Sequence, residues 1–170
     1  MYMIRLILLI FLIISSNLSY SDDNNQLQIS KPPINIEPFT LITKDGKKEN
    51  ISKTNGKVIL INFWATWCPP CIKEIPDLQK LKKEFGSDIE VLFISVDSNF
   101  QETVPKFLKK NKFSNIKVFN DQKLVISKKF KVKIMPTTII ISKSFKETNR
   151  VTGYVDWQSK KYKSLIKNLL

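Results

Sequence analysis

Apolar residues along this chain alternate between short continuous runs and helical spacing. Residues 57–64 (KVILINFW) form a nearly unbroken apolar run rich in β-branched side chains, which is typical of a strand buried on both faces. Residues 69–85 then have apolar positions at helical spacing, which are Ile72, Ile75, Leu78 and Leu81. The pattern therefore predicts a buried strand that leads directly into a helix.

The same pattern predicts the remaining elements. Residues 39–43 and 50–52 flank Asp45-Gly46 and indicate a β-hairpin at the front of the domain. Further strands are predicted at 89–96, 117–119, 137–142 and 151–154, and helices at 102–112 and 121–130. Asp156 is expected to cap a final amphipathic helix with Trp157, Leu165 and Leu169. Because strands and helices alternate, we expect an α/β fold, with a mixed central sheet flanked by helices.

The N-terminus is predicted to direct export. Arg5 precedes the apolar residues 6–14, and this run is too short for a bilayer span, which needs about 20 residues. We expect a signal peptide over 1–21, cleaved near Ser21, with an uncleaved short membrane anchor as the alternative. Residues 22–37 are polar and contain two adjacent prolines, which predicts a flexible tether before one domain at 38–170.

The charge of the chain changes this prediction little. The net charge is +13, and nearly all of the basic residues are Lys. The densest basic stretch, residues 102–133, either attracts acidic partners or an anionic membrane, or simply keeps the protein soluble. Because Lys is abundant throughout, we favour solubility. Scarce Arg, the lack of a basic–aromatic repeat and the export signal argue against nucleic-acid binding.

The chemistry is expected at Cys68 and Cys71, the two cysteines of the chain. A disulfide across so short a loop stabilises a fold little, so the pair is better suited to redox exchange. The pair lies where the predicted strand meets the helix, and the first turn of a helix stabilises a thiolate, so we expect a lowered pKa at Cys68. Cys68 would attack a partner and Cys71 would resolve the mixed disulfide. No cofactor or metal is expected, because the chain has no His for a zinc or haem site.

The sequence NFWATWCPPC at 62–71, with Glu74 following and MPTT at 135–138, resembles the TlpA-like family of thiol-disulfide oxidoreductases. This extracytoplasmic branch of the thioredoxin superfamily includes ResA-type and CcmG/DsbE-type proteins of cytochrome c maturation. The resemblance implies a thioredoxin-like fold with an N-terminal β-hairpin and a helix–strand insert between residues 98 and 120.

The resemblance also implies roles for particular residues. It predicts that the peptide bond before Pro136 is cis and lies close to Cys68. It also predicts that the carboxyl group of Glu74 tunes the protonation of the two thiols. Substrate contacts are expected from Trp67, Pro69, Pro70, Met135 and Thr137. Ordinary thioredoxins carry a buried Asp six residues before the first cysteine as a proton acceptor, and here that residue is Asn62. Since Asn cannot take up a proton at neutral pH, the sequence favours Glu74 as the acid near Cys71.

The direction of electron flow follows from the residues between the cysteines. Strongly oxidising relatives have a His there, whereas this chain has Pro69 and Pro70, so a reductase is favoured. The expected partners are exported proteins with disulfides, with apocytochrome c leading, and a membrane thiol-reductase as electron donor. The expected location is periplasmic or otherwise extracytoplasmic. A disulfide-introducing oxidant and a Cu(I)-binding metallochaperone remain as alternatives.

Overall fold

The computed structural model describes residues 26–170, which form one eight-stranded mixed sheet with helices on both faces. The strands are β1 (Leu27–Asn35), β2 (Phe39–Thr43), β3 (Lys48–Ile51), β4 (Val58–Trp64), β5 (Ile89–Ser95), β6 (Lys117–Asn120), β7 (Thr137–Ile141) and β8 (Lys146–Thr152). The helices are α1 (Pro69–Phe85), α2 (Phe100–Lys110), α3 (Val125–Lys129) and α4 (Lys160–Lys167). The α/β fold, the front hairpin β2–β3 and the α2–β6 insert are confirmed. The predicted leader at 1–21 lies outside the described residues.

The central strand β4 organises both the core and the edge where the chemistry lies. The sheet order is β1-β8-β7-β4-β5-β6-β2-β3, and every residue of β4 is buried. Leu60 and Trp64 pack on the face covered by α1, whereas Ile61 and Phe63 pack on the opposite face, which α3 covers. Because β4, β5 and β6 are parallel, the loops that follow them meet at one edge of the sheet.

The prediction of a flexible tether over 22–37 is wrong from Leu27 onward. These residues form β1, which pairs antiparallel with β8 at the edge of the sheet. The register is interrupted between Ile29 and Ile34, where two prolines cannot donate to the ladder. Both isoleucines are more than half exposed, at 58% and 54%, so the strand lacks the buried apolar alternation that would have revealed it.

The last strand also differs from its prediction at 151–154, because β8 begins at Lys146. Its buried positions alternate as expected for a strand, but two of them are the polar Glu147 and Asn149. Arg150 binds the carboxylate of Glu147 at 3.0 Å and makes its burial tolerable. The hydrophobic pattern therefore could not show where this strand starts.

Two helices begin later than predicted, for reasons found at their N-termini. α3 starts at Val125 rather than at residue 121, because the Asp121 carboxylate accepts hydrogen bonds from the backbone N–H groups of Ile126 and Ser127 at 2.9 and 2.8 Å. α4 starts after Ser159, so Asp156 is not its cap. Asp156 instead accepts a hydrogen bond from the N–H of Gln158, in a turn ahead of the helix.

No helix within residues 26–170 is long and apolar enough to cross a membrane.

Candidate active site

Cys68 and Cys71 lie where β4 ends and α1 begins, as predicted. Cys68 is the residue before the first turn of α1 and is bonded to Cys71, with an S–S distance of 2.01 Å and a Cα–Cα distance of 5.3 Å. Cys71 is completely buried, whereas Cys68 keeps 6% of its surface exposed. A partner therefore reaches Cys68 first, which fits an attacking role for Cys68 and a resolving role for Cys71.

The first turn of α1 limits which backbone groups can stabilise a Cys68 thiolate. The first helical N–H groups have no partner within a helix and attract negative charge. Pro69 and Pro70 occupy the first two helical positions and have no N–H, while the N–H of Ile72 already bonds the Cys68 carbonyl at 3.1 Å. In the first turn of α1, the backbone N–H of Cys71 therefore remains to donate a hydrogen bond to a Cys68 thiolate.

Glu74 is buried, with 1% of its surface exposed, and is not a solvated helix residue. It lies three residues after Cys71 and therefore on the same side of α1. Its Oε1 accepts a hydrogen bond from the backbone N–H of Val155 at 2.9 Å, and its Oε2 accepts one from Nδ2 of Asn62 at 3.3 Å. The structure thus places a carboxyl group inside the protein, beside the resolving cysteine.

Burial raises the pKa of Glu74 from 4.5 to about 7, because the charged form loses its hydration. The hydrogen bond from Val155 opposes this shift most, followed by weaker donors, and the negative charge of Asp77 adds to it. Trp157 also lowers this pKa, although its buried Nε1 has no hydrogen bond of ordinary length and angle. Glu74 therefore exchanges protons near neutral pH.

Asn62 connects Glu74 to the strand beside it. Its Nδ2 donates to Glu74 and also to Oγ1 of Thr138 at 3.0 Å, while its Oδ1 is buried without a hydrogen-bond partner. Leaving a buried acceptor unpaired costs about 1–3 kcal/mol. A protonated Glu74 carries the O–H donor that this oxygen lacks, once the Asn62 amide turns over.

The Met135–Pro136 bond is cis, as the resemblance implied. Thr137, the next residue, pairs with Phe63 of β4 and donates through Oγ1 to the carbonyl of Ile134 at 2.7 Å. Met135 packs against the core cluster that contains both cysteines. The loop before β7 therefore lies at the same edge of the sheet as the disulfide.

Exposed apolar side chains lie next to the cysteines and next to the cis-proline bond in the sequence. Trp67, directly before Cys68, is 65% exposed, and Ile134, directly before Met135, is 59% exposed. Pro69 and Pro70 are also exposed. Large exposed apolar side chains at a reactive centre are typical of a surface that binds other proteins.

Asp97 is a site residue that the sequence reasoning missed. It is buried after β5, and its carboxylate accepts hydrogen bonds from the N–H of Thr66 at 3.1 Å, the Thr66 hydroxyl at 2.6 Å and the Ser95 hydroxyl at 2.7 Å. Thr66 lies two residues before Cys68, so Asp97 holds the loop that presents the disulfide. Its position in the sequence could have identified it, because Asp97 directly follows a predicted buried strand that ends at the same edge of the sheet as the strand before Cys68.

The chain is similar to known proteins over most of its length. A family model described as the AhpC/TSA family matches residues 35–146. The thiol-disulfide oxidoreductase ResA of Bacillus cereus is 31% identical over 134 residues, which cover 77% of this chain and 73% of that protein. The thioredoxin-like protein YneN of Bacillus subtilis (strain 168) is 42% identical over 60 residues, but the match covers 35% of each chain.

A solved structure supports the thioredoxin-like fold. The crystal structure of the pneumococcal exposed lipoprotein thioredoxin Etrx1, from Streptococcus pneumoniae strain TIGR4, matches with a TM-score of 0.65 and 26% sequence identity. The match covers 78% of this chain and 99% of that one.

Proposed function

We propose that this chain, which belongs to the AhpC/TSA family and is a thiol-disulfide oxidoreductase of the ResA type, reduces disulfides in selected exported proteins. The observation that carries this proposal is the Cys68–Cys71 disulfide at the start of α1, with the buried Glu74 three residues further along. The cycle runs between this disulfide and the dithiol form.

The proposed reaction begins with the dithiol form. The Cys68 thiolate attacks one sulfur of a substrate disulfide, forms a mixed disulfide and releases one substrate thiolate, which takes a proton from water. The Cys71 thiol then loses its proton, and its thiolate attacks the Cys68 sulfur. This step breaks the mixed disulfide, releases the second substrate thiolate and leaves the Cys68–Cys71 disulfide. Two electrons have passed to the substrate, and a membrane thiol-reductase returns two electrons and two protons.

Glu74 is the proposed proton acceptor for Cys71. A carboxyl group with its pKa near 7 is partly ionised at neutral pH and is a stronger base than one at 4.5. Asn62 cannot serve, because an amide does not take up a proton in this pH range. The cis loop is proposed to bind the substrate segment next to its cysteine, through the backbone of Met135, while Pro136 fixes the shape of the loop.

The proposed substrates are exported proteins, with apocytochrome c as the leading candidate. Support comes from the predicted export leader, cleaved near Ser21 or kept as an anchor, and from the ResA-type resemblance. The absence of a His between Cys68 and Cys71 supports the reducing direction, since a cation there would stabilise the dithiol form.

The test is the reduction potential of the Cys68–Cys71 couple, followed by reduction of a peptide with an oxidised C-x-x-C-H segment. We expect a potential well below that of glutathione and rapid reduction of the peptide. The Cys68→Ser variant is the control and should not react. A potential near −120 mV, as in strong disulfide oxidants, would instead make the protein a disulfide donor.

A further inference from the structure

Five exposed lysines lie between β6 and the cis-proline loop, in the short helix α3 and in the turns on either side of it. We call this group the basic strip, and it consists of Lys123, Lys128, Lys129, Lys131 and Lys133. All five are exposed. None of them forms an ion pair with an acid among residues 26–170. The strip is therefore a concentration of positive charge that the described part of the protein leaves uncompensated by direct contacts.

Few of the acidic residues that the structure describes lie near the basic strip, and two of them, Asp121 and Glu147, form hydrogen bonds or ion pairs with other groups. Asp121 is buried, and its carboxylate is taken up by two backbone N–H groups of α3 and by the Ser127 hydroxyl at 2.6 Å. Glu147 is paired with Arg150. Glu37 and Glu147 both line the groove that Lys129 and Lys131 also line. None of these three acids forms an ion pair with a lysine of the strip, so its positive charge is not neutralised by direct contact.

The basic strip has a fixed backbone. Phe130 lies in its middle, is buried, and packs edge-on against Phe39 with ring centroids 5.2 Å apart. The N–H of Lys131 bonds the carbonyl of Lys128 at 3.0 Å, and the N–H of Val132 bonds the carbonyl of Ser127 at 2.9 Å. Lys128, Lys129 and Lys131 therefore extend from an ordered turn anchored in the core, and a partner does not have to order that backbone when it binds.

Along the chain, the basic strip ends directly before the cis-proline loop. Lys133 is followed by Ile134, which is 59% exposed, and then by the cis-proline loop. Two more apolar side chains are exposed within the same stretch, Leu124 at 40% and Val125 at 61%. The stretch that ends at the cis-proline loop therefore carries exposed apolar side chains among its lysines.

We propose that the basic strip, for which the sequence alone favoured a role in solubility, binds an acidic segment of the protein that exchanges thiols with Cys68. The enzyme then selects partners that carry Asp or Glu near their reactive cysteines, and this inference rests on the proposed function. Charges at the rim of an interface mainly raise the association rate, and they act within about 10 Å at ordinary salt. A protein partner is favoured over a membrane, because a lipid surface on the strip would cover the face at Ile134 where a substrate must dock.

The test compares two synthetic peptides that share one disulfide loop and differ in their flanks, Glu in one and Ser in the other. Rates of reduction by the dithiol form of the full protein are measured at low and high salt. We expect the Glu peptide to react about tenfold faster at low salt and to lose this advantage in 1 M salt. The variant Lys123→Glu/Lys133→Glu should lose the advantage at low salt as well.

A matched control separates the effect of the basic strip from the effect of the overall positive charge of the protein. Lys53→Glu/Lys160→Glu changes the net charge by the same amount, at two exposed lysines away from the active site. Lys53 lies in the loop before β4, at the opposite edge of the sheet, and Lys160 lines a groove with Glu84 near the C-terminal end of α1. This control should keep the preference for the Glu peptide.

The outcomes distinguish the two proposals. If neither peptide is reduced, the proposed function fails, and the strip proposal fails with it. If both peptides react at equal rates, or if the control loses the preference as the strip variant does, the strip proposal is overturned while the proposed function stands. It is also overturned if the strip variant loses binding to phosphatidylserine-containing vesicles but keeps its peptide preference, since the strip would then bind a membrane.

Discussion

Replacing Glu74 with Gln should make the protein more stable at alkaline pH, which is the reverse of what losing a hydrogen-bonded acid usually does. Gln has nearly the same shape as protonated Glu and keeps an oxygen for the N–H of Val155, which now bonds Oε1 at 2.9 Å. It cannot ionise, so it removes the cost of a buried negative charge. The effect of the substitution should therefore depend on pH.

The magnitude follows from the pKa of Glu74, which burial raises from 4.5 to about 7. The folded protein holds this proton more tightly than the unfolded chain does. The stabilising contribution is therefore complete below pH 4.5 and is lost as the pH rises through 7. A shift of this size corresponds to about 3 kcal/mol, at about 1.4 kcal/mol per pKa unit. Relative to the wild type, Glu74→Gln should gain that amount between pH 4 and pH 8.

The assay is urea unfolding of the oxidised protein at a series of pH values, for the wild type and for Glu74→Gln. Taking the difference of their unfolding free energies cancels groups common to both proteins. Glu84→Gln is the matched control, because Glu84 lies on the same helix but is half exposed and paired with Lys163. The reasoning is refuted if the wild type and Glu74→Gln show parallel pH profiles, or if the control reproduces the effect.

Three further predictions concern the exchange site. Asp97→Ala should lower the unfolding free energy by about 2 kcal/mol, because it leaves the donors of Thr66 and Ser95 unpaired, and Asp97→Asn should cost less; equal losses in urea unfolding would contradict the proposed anchoring. Trp67→Ala should change stability by less than about 0.5 kcal/mol, as expected for an exposed side chain, yet slow exchange with protein disulfides in a stopped-flow assay. Unchanged rates would remove Trp67 from the substrate surface. Cys71→Ser should accumulate a mixed disulfide at Cys68, visible on a non-reducing gel, and a gel with no such adduct would argue against Cys68 as the attacking residue.

The parts of the fold that could be predicted from sequence are those in which the buried positions are occupied by apolar residues. β4 is a continuous apolar strand, and α1 has helical apolar spacing, so their junction and the reactive cysteines could be located from the residues. β1 and the start of β8 were not predicted, because their pairing relies on backbone hydrogen bonds and on buried polar groups. Glu147, for example, is buried through its ion pair with Arg150, a contact that no hydrophobic pattern records.

The chemistry of the site could be predicted only in part, because pKa values depend on contacts across the fold. The family resemblance indicated Glu74, but its burial is produced by residues far along the chain, including Val155 and Trp157. Asp97 could have been suspected from its position after β5. Its partner Thr66, however, is fixed only once β4 and β5 pair in register.

One turn after β8 connects two parts of the site that are far apart in sequence. The N–H of Gly153 donates to the carbonyl of Pro136 at 2.7 Å, and the N–H of Val155, two residues later, donates to Glu74 at 2.9 Å. The same turn therefore positions the loop proposed to bind the substrate and the carboxylate proposed to accept the Cys71 proton. A bound partner that shifted the cis-proline loop would also shift this turn, and with it the N–H of Val155 that bonds Glu74. Because Val155 is the strongest of the donors that lower the Glu74 pKa, lengthening its hydrogen bond would raise that pKa further. The proposed binding of substrate at the cis-proline loop and the proposed proton transfer from Cys71 to Glu74 are thus connected by two backbone hydrogen bonds.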